Sequence, residues 1–170
     1  MSKLIIIEGI DGVGKTELAG QLYIHGKTPF ALLHAGPPGE DLDAEETYFA
    51  PIWAMAHQGY TVVCDRWHLG EMVWPYVFHR ECLIGDTDTL SDLESDLLDA
   101  FDDVTCIYLH RDREDIQRIR EINYDYHRAI NCYNDAIGMS SFSWWVGSLT
   151  DFLPGGENDR VLFADVLDAG

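Results

Sequence analysis

The hydrophobic and polar positions fall into an order that repeats along the chain: a short apolar run, a glycine- or proline-rich break, then a stretch with helical spacing. Lys3 to Glu8 carries the uninterrupted run Leu4-Ile5-Ile6-Ile7, the pattern of a strand buried on both faces. A glycine loop follows, and then a helix from Thr16 to about His25, with Leu18, Leu22 and Tyr23 on one side and Gly26 near its end. Phe30 to His34 is a second short strand, stopped by Ala35-Gly36-Pro37-Pro38-Gly39. Asp43 to His57 has the spacing of a helix, and Tyr60 to Cys64 of a third strand, ending at Asp65-Arg66. Trp67 to Glu81 is expected to be helical, with Pro75 kinking it or marking the first turn of its second half.

The second half continues the alternation. Leu90, Leu93, Leu97, Leu98 and Phe101 share one face of a helix over Asp88 to Phe101, with Asp92, Asp96 and Asp99 turned to solvent. Val104 to Leu109 is the fourth strand. From Asp112 to Ile137, Ile116, Ile119, Ile122, Tyr126, Ile130 and Tyr133 recur three or four apart, which predicts a long helix. Phe142 to Leu149 and Arg160 to Val166 both fit a fifth strand, with Pro154-Gly155-Gly156 as a turn between them. Strand, loop and helix in this order predict an α/β fold, a parallel sheet of about five strands covered by helices on both faces.

Composition sets limits on this picture. At 170 residues and 46% apolar content the chain suits a single domain over 1–170. Its first apolar run is too short for a signal-peptide core or a membrane span, so a cytoplasmic protein with no membrane partner is expected. Cys64, Cys82, Cys106 and Cys132 form no C-x-x-C pair and are expected to be buried free thiols. The formal charge of −19 disfavours broad attraction to nucleic acid or an anionic membrane, so an anionic substrate must meet a local basic pocket. With lysine only at Lys3, Lys15 and Lys27, this balance is compatible with a saline habitat or with genomic bias.

The chemistry is concentrated after the first strand. Gly9-Ile10-Asp11-Gly12-Val13-Gly14-Lys15-Thr16 satisfies G-x-x-x-x-G-K-[ST], with a strand before it and a helix after it, as a phosphate-binding P-loop requires. The glycines let backbone N–H groups converge on phosphate oxygens, and the helix N-terminus adds partial positive charge. Lys15 then reaches the outer phosphates, and the Thr16 hydroxyl serves Mg2+. These residues predict a three-layer P-loop NTPase fold that binds ATP and Mg2+. Asp65 and Arg66 end a parallel strand, where the ligand crevice of an open α/β sheet lies.

The segment Glu8 to Thr16, with an acid inside the loop, resembles that of thymidylate kinases, and the order of parts over most of residues 1–140 is similar to theirs. That resemblance implies phosphoryl transfer from ATP to a deoxynucleotide. Arg66 would grip the acceptor phosphate and Asp65 would join Thr16 at the magnesium ion. A lid at about 111–124, carrying Arg111, Arg113, Arg118 and Arg120, would neutralise the phosphoryl group in transit. The catalytic set is then Lys15, Asp11, Asp65, Arg66 and Arg118, with Arg111 and Arg113 beside the nucleotide.

The chain departs from this family on the acceptor side. Ala35-Gly36-Pro37-Pro38-Gly39 lacks the family's arginine after the second strand, and Trp67-His68-Leu69-Gly70-Glu71-Met72-Val73-Trp74 replaces its tyrosine, serine and Ala-Tyr-Gln segment. Thymidine monophosphate is therefore expected to be a poor acceptor. Trp67 and Trp74 suit stacking on a base, with Tyr76 nearby, and Glu71 suits a sugar hydroxyl or base N–H. His34 and Glu40 are further crevice candidates, and His68 a candidate base. The partner is a small nucleotide or nucleoside-like acceptor, and a homodimer is compatible with the sequence. Two other functions stay open. One is a kinase for a hydroxyl on a modified pyrimidine, such as 5-hydroxymethyluracil, free or in DNA, with Asp11, Asp65 or Glu40 as base. The other is a nucleotide-binding regulatory switch.

Overall fold

In the computed structural model, residues 1–25, 29–35, 43–111 and 124–167 are described. Five parallel strands, β1 (Lys3–Glu8), β2 (Phe30–His34), β3 (Thr61–Asp65), β4 (Asp103–Leu109) and β5 (Trp144–Gly147), form one sheet in the order β2-β3-β1-β4-β5. Successive side chains on a strand point to opposite faces, so each central strand feeds two cores. Ile5, Ile7, Val63 and Ile107 face one side, where they pack with Leu18 and Leu22 of α1 (Lys15–His25). Val73 of α4 (His68–Phe78) and Tyr133 of α6 (Tyr126–Met139) join that layer. Leu4, Ile6, Val62, Cys64 and Cys106 face the other side. There they meet Tyr48 of α2 (Ala44–Tyr48), Ile52 of α3 (Ala50–His57) and Leu90, Leu93 and Leu97 of α5 (Thr87–Ala100). The expected helix–sheet–helix sandwich is the observed one. Among the described residues no helix is long and apolar enough to cross a membrane.

Where the structure departs from the expected elements, a local cause is visible. The helix expected over Asp43 to His57 is two helices meeting at Phe49. Asp43 starts α2 with a reciprocal capping box to Glu46. Pro51 then has no N–H to continue the α2 ladder and sits instead in the first turn of α3. The helix expected over Trp67 to Glu81 ends at Phe78, because His79 adopts the left-handed conformation (φ 55°, ψ 44°) and its N–H returns to the Pro75 carbonyl. Pro75 also lacks the N–H that would have bonded Glu71 O, and the Cys82 thiol donates to that carbonyl instead, at 3.1 Å.

Of the two candidates for a fifth strand, Trp144–Gly147 is the strand. Residues Asp159–Leu167 form helix α8, after the short α7 (Leu149–Phe152). Cys64 and Cys106 are buried free thiols as expected, but Cys82 is exposed and Cys132 half-buried, since both lie outside the strands. The long helix expected from Asp112 is described only as α6, and its first part, like Gly26, lies outside the described residues.

Candidate active site

The loop after β1 needs glycine for reasons the geometry makes explicit. Gly9 has φ +143°, and a Cβ there would stand 2.5 Å from Leu109 O at the end of β4. Gly14 has φ +101°, and a Cβ would stand 2.7 Å from Leu149 of α7. Both positions combine a backbone that L side chains rarely adopt with a neighbour too close to admit one. The loop is thus clamped between strand and helix ends.

Lys15 is buried, and its Nζ donates to Gly9 O at 2.9 Å and Ile10 O at 2.7 Å. Burial lowers the pKa of this ammonium group, and the nearby carboxylates of Asp65 and Glu8 pull it back up. The Thr16 hydroxyl donates to Asp65 Oδ2 at 2.6 Å, while Asp65 Oδ1 is buried with no hydrogen-bond partner among the described residues. A hydroxyl and an orphaned carboxylate oxygen side by side suit a hard divalent cation that takes its remaining ligands from phosphate and water. Among the described residues no cluster of three or more His, Cys, Asp or Glu side chains is poised to hold a metal ion. His34 lies beside this pair, Nδ1 3.6 Å from Asp65 Oδ2, with more than half of its side chain exposed.

Arg66 joins the loop to a second cavity. Its backbone is left-handed (φ 64°), a conformation costing about 1–3 kcal/mol outside glycine, and it aims the guanidinium into an ion pair with Asp11. The same group lies 5.5 Å from the centre of the Trp74 ring. The cleft beyond, of about 210 Å³, is lined by Asp11, Ala35, Tyr48, Arg66, Trp67, Gly70, Glu71, Trp74, Phe78 and Arg80. Trp74 stacks on Phe78 with centroids 5.8 Å apart, and Tyr124 presents its edge to Trp74 at 5.2 Å. The Tyr124 hydroxyl accepts the Asp11 N–H at 3.0 Å, so one side chain touches both loop and aromatic wall. Burial pushes the pKa of this phenol up to about 12, so it stays protonated at neutral pH.

Beneath the cleft, the carboxylate of Glu8 is fully buried. It accepts N–H groups from Trp67 at 2.8 Å and Gly70 at 3.1 Å, capping the N-terminus of α4, and the Tyr133 hydroxyl at 3.0 Å. Burial raises its pKa above the ordinary value, and these hydrogen bonds offset part of the shift.

Several candidates take roles unlike those expected. Trp67 is almost wholly buried, its Nε1 donating to Tyr48 O at 3.0 Å, so it forms the floor of the cleft and not a free stacking face. Glu71 lines the cleft but is not available to a ligand. Arg80 Nη1 and Nη2 donate to its two oxygens at 2.8 and 2.7 Å, and Tyr48 Oη and Leu83 N–H at 3.3 and 3.0 Å. His68 is removed from the crevice altogether: it is fully buried, 3.1 Å from Glu94, which also holds Ser140 and Ser141. Tyr76 is exposed under Arg128. Arg111 is exposed and borders a separate cavity of about 290 Å³ with Ile10, Tyr108 and His110. Glu40, Arg113, Arg118 and Arg120 lie outside the described residues.

Sequence reasoning missed Tyr48, Phe78, Arg80 and Tyr124. Phe78 falls four residues after Trp74 on a helix already flagged as aromatic, a readable signal. Arg80 reaches the cleft only because the chain reverses at His79, which helical spacing does not reveal.

No protein-family model matches the chain, and no curated protein sequence does. Solved structures do. The YorR protein from Bacillus subtilis, solved in complex with phosphorylated GDP, superposes with a TM-score of 0.71 at 18% identity over 98% of this chain and 97% of that one. Polyphosphate kinase 2 from Arthrobacter aurescens gives 0.57 at 17% identity, covering 86% of this chain and 61% of the other. Thymidylate kinase from Ehrlichia chaffeensis gives 0.51 at 16% identity over 99% of both. The chain has the three-layer α/β P-loop NTPase fold. With that fold, the P-loop, the Thr16–Asp65 pair and the aromatic cleft stand at the carboxyl ends of β1 and β3, beside the switch in strand order.

Proposed function

We propose that this protein transfers the terminal phosphoryl group of ATP to a deoxynucleotide bound in the aromatic cleft. One observation carries the reading: the Asp11–Arg66 ion pair places a cation of the cleft directly against the P-loop, where a donor phosphate and an acceptor oxygen would meet. The cocrystallised nucleotide in the YorR structure, of the same fold, supports a nucleotide ligand.

On this reading Lys15 exchanges the Gly9 and Ile10 carbonyls for phosphate oxygens, and loop N–H groups hold the donor in place. Thr16 and Asp65 would hold Mg2+, which neutralises charge on the phosphates. Arg66 exchanges Asp11 for the acceptor or the transferring group. The acceptor oxygen then forms its bond to phosphorus as the bond to the leaving diphosphate oxygen breaks, and fixed positive groups stabilise the charge spread over the phosphoryl oxygens. A monophosphate acceptor is already ionised and needs no base. A hydroxyl acceptor, as on 5-hydroxymethyluracil, must lose a proton, and Asp11 is the half-exposed carboxylate at the cleft that suits that task.

ADP release measured side by side with thymidine monophosphate, other deoxynucleoside monophosphates, 5-hydroxymethyl-deoxyuridine monophosphate, deoxynucleosides and hydroxymethyluracil-containing DNA separates these outcomes. Turnover of a free deoxynucleotide in preference to duplex DNA is expected. Preferential labelling of the DNA or of a nucleoside hydroxyl would move the assignment to the hydroxyl kinase. ATP binding without transfer to anything would leave a regulatory switch.

A further inference from the structure

The two ends of the cleft differ in chemistry. At the P-loop end stand Asp11 and Arg66, tied to each other. At the far end the polar side chains among the described residues are Tyr48, Glu71 and Arg80. A carboxylate has roughly four acceptor positions, and four donors already fill those of Glu71: Arg80 Nη1, Arg80 Nη2, Tyr48 Oη and Leu83 N. Glu71 is buried, so no ligand reaches it. The Glu81 carbonyl is likewise occupied, by Arg80 Nη1 at 3.1 Å. The Tyr48 hydroxyl gives its hydrogen to Glu71 and keeps only a buried oxygen, so what the described side chains at this end offer a ligand is chiefly donor capacity. That capacity belongs to Arg80, whose side chain is 30% exposed and whose guanidinium carries five N–H groups, three of them engaged in these contacts.

We infer that Arg80, held in place by Glu71, reads the acceptor's base and selects one with a carbonyl at that edge, a 6-oxopurine or 4-oxopyrimidine, against the amino-bearing counterpart. This rests on the proposal that the cleft receives a nucleotide. The stacked pair Trp74 and Phe78 offers the base its flat wall, and Arg66 fixes the phosphate end, so the base edge lies toward Arg80. Arginine donates and never accepts. A carbonyl oxygen, with the adjacent purine N7 where present, completes its fork, whereas an exocyclic amino group brings a second donor and offers the guanidinium nothing to bond. Glu71 is the positioning residue: its buried carboxylate fixes the plane and reach of the fork.

Calorimetric titration with two matched pairs tests this, deoxyinosine against deoxyadenosine monophosphate and deoxyuridine against deoxycytidine monophosphate. Each pair differs at the carbonyl or amino edge and shares its sugar and phosphate, so weak phosphate binding cancels in the ratio. The parent protein is expected to bind the carbonyl member at least about tenfold more tightly in one pair or both. In Arg80→Gln, whose amide can donate or accept, that ratio should fall to about two or less, with the melting temperature checked in parallel. Should Arg80→Gln fail to fold, Arg80→Lys keeps a cation for Glu71 but loses the fork, and its ratio should drop at least threefold. Equal binding within both pairs, tighter binding of an amino member, or a ratio unchanged in the folded variant would overturn the assignment. Because the readout is binding, it stands apart from ADP release, whose failure would instead remove the kinase reading.

Discussion

The P-loop and the aromatic cleft share one ion pair and are otherwise built in opposite ways. The loop is a single octapeptide whose function lies in its backbone: Gly9 and Gly14 are there for what they lack, and Lys15 and Thr16 follow in sequence. The cleft is gathered from the ends of β2 and β3, from α2, from one face of α4 and from the turn beyond it, and it works through side chains. Chemistry carried by a contiguous backbone is confined to few sequences. Chemistry carried by scattered side chains can change one residue at a time.

That contrast can be broken most sharply at Lys15. Lys15→Met should leave the melting temperature near that of the parent but lower phosphoryl transfer at least about a thousandfold, since preorganised charges of this kind are worth several kcal/mol in the transition state. Transfer within tenfold of the parent would remove the donor loop from the chemistry. Arg66→Ala comes next. Losing a charge-assisted contact to phosphate costs about 1.5–3 kcal/mol, so acceptor affinity should fall roughly ten- to a hundredfold while ATP affinity holds within about threefold. Titrations of the two ligands would show the reverse if Arg66 belonged to the loop and not to the cleft.

Tyr124 touches both halves, and a smaller effect is expected there. Tyr124→Phe keeps the ring against Trp74 and Phe78 but leaves the Asp11 N–H without its acceptor, a loss of about 0.5–1.5 kcal/mol. Urea unfolding should register that loss, and an unchanged midpoint would mean that water replaces the hydroxyl. The smallest effect concerns pH. Burial raises the Glu8 pKa above the ordinary 4.5, so the folded state holds this proton more tightly than the unfolded chain, and stability falls as pH rises from 4.5 through the raised value. In Glu8→Gln that term is absent. The stability difference, variant minus parent, should therefore grow with pH over this window and then level off; a difference that shrinks would show that hydrogen bonding outweighs burial.

How much of this was legible in the sequence follows from the same contrast. The α/β sandwich could be read because Leu4 to Ile7 and Thr61 to Cys64 are buried on both faces, and such runs announce central strands. The loop could be read because its motif is contiguous. Asp65 and Arg66 could be placed because strand ends are predictable. Glu71 could be placed in the cleft but not understood, since its partners Tyr48, Arg80 and Leu83 come from three segments whose meeting depends on where α2 and α4 stop. His68 misled for a related reason: one step along α4 turns a side chain by about 100°, and that step carries it from the crevice to Glu94 on the opposite side.

Glu8 has one more consequence. It holds α4 through the main-chain N–H groups of Trp67 and Gly70, and such bonds take no account of what side chains those residues bear. Substitutions along the exposed face of that helix can therefore alter what the cleft admits without loosening the helix from the sheet. Gly70 is a constrained position, because a Cβ there would press on Trp74 and on Glu8 itself, at 3.3 and 3.4 Å. The architecture thereby separates a main-chain mooring from a side-chain surface that can change while the protein remains folded.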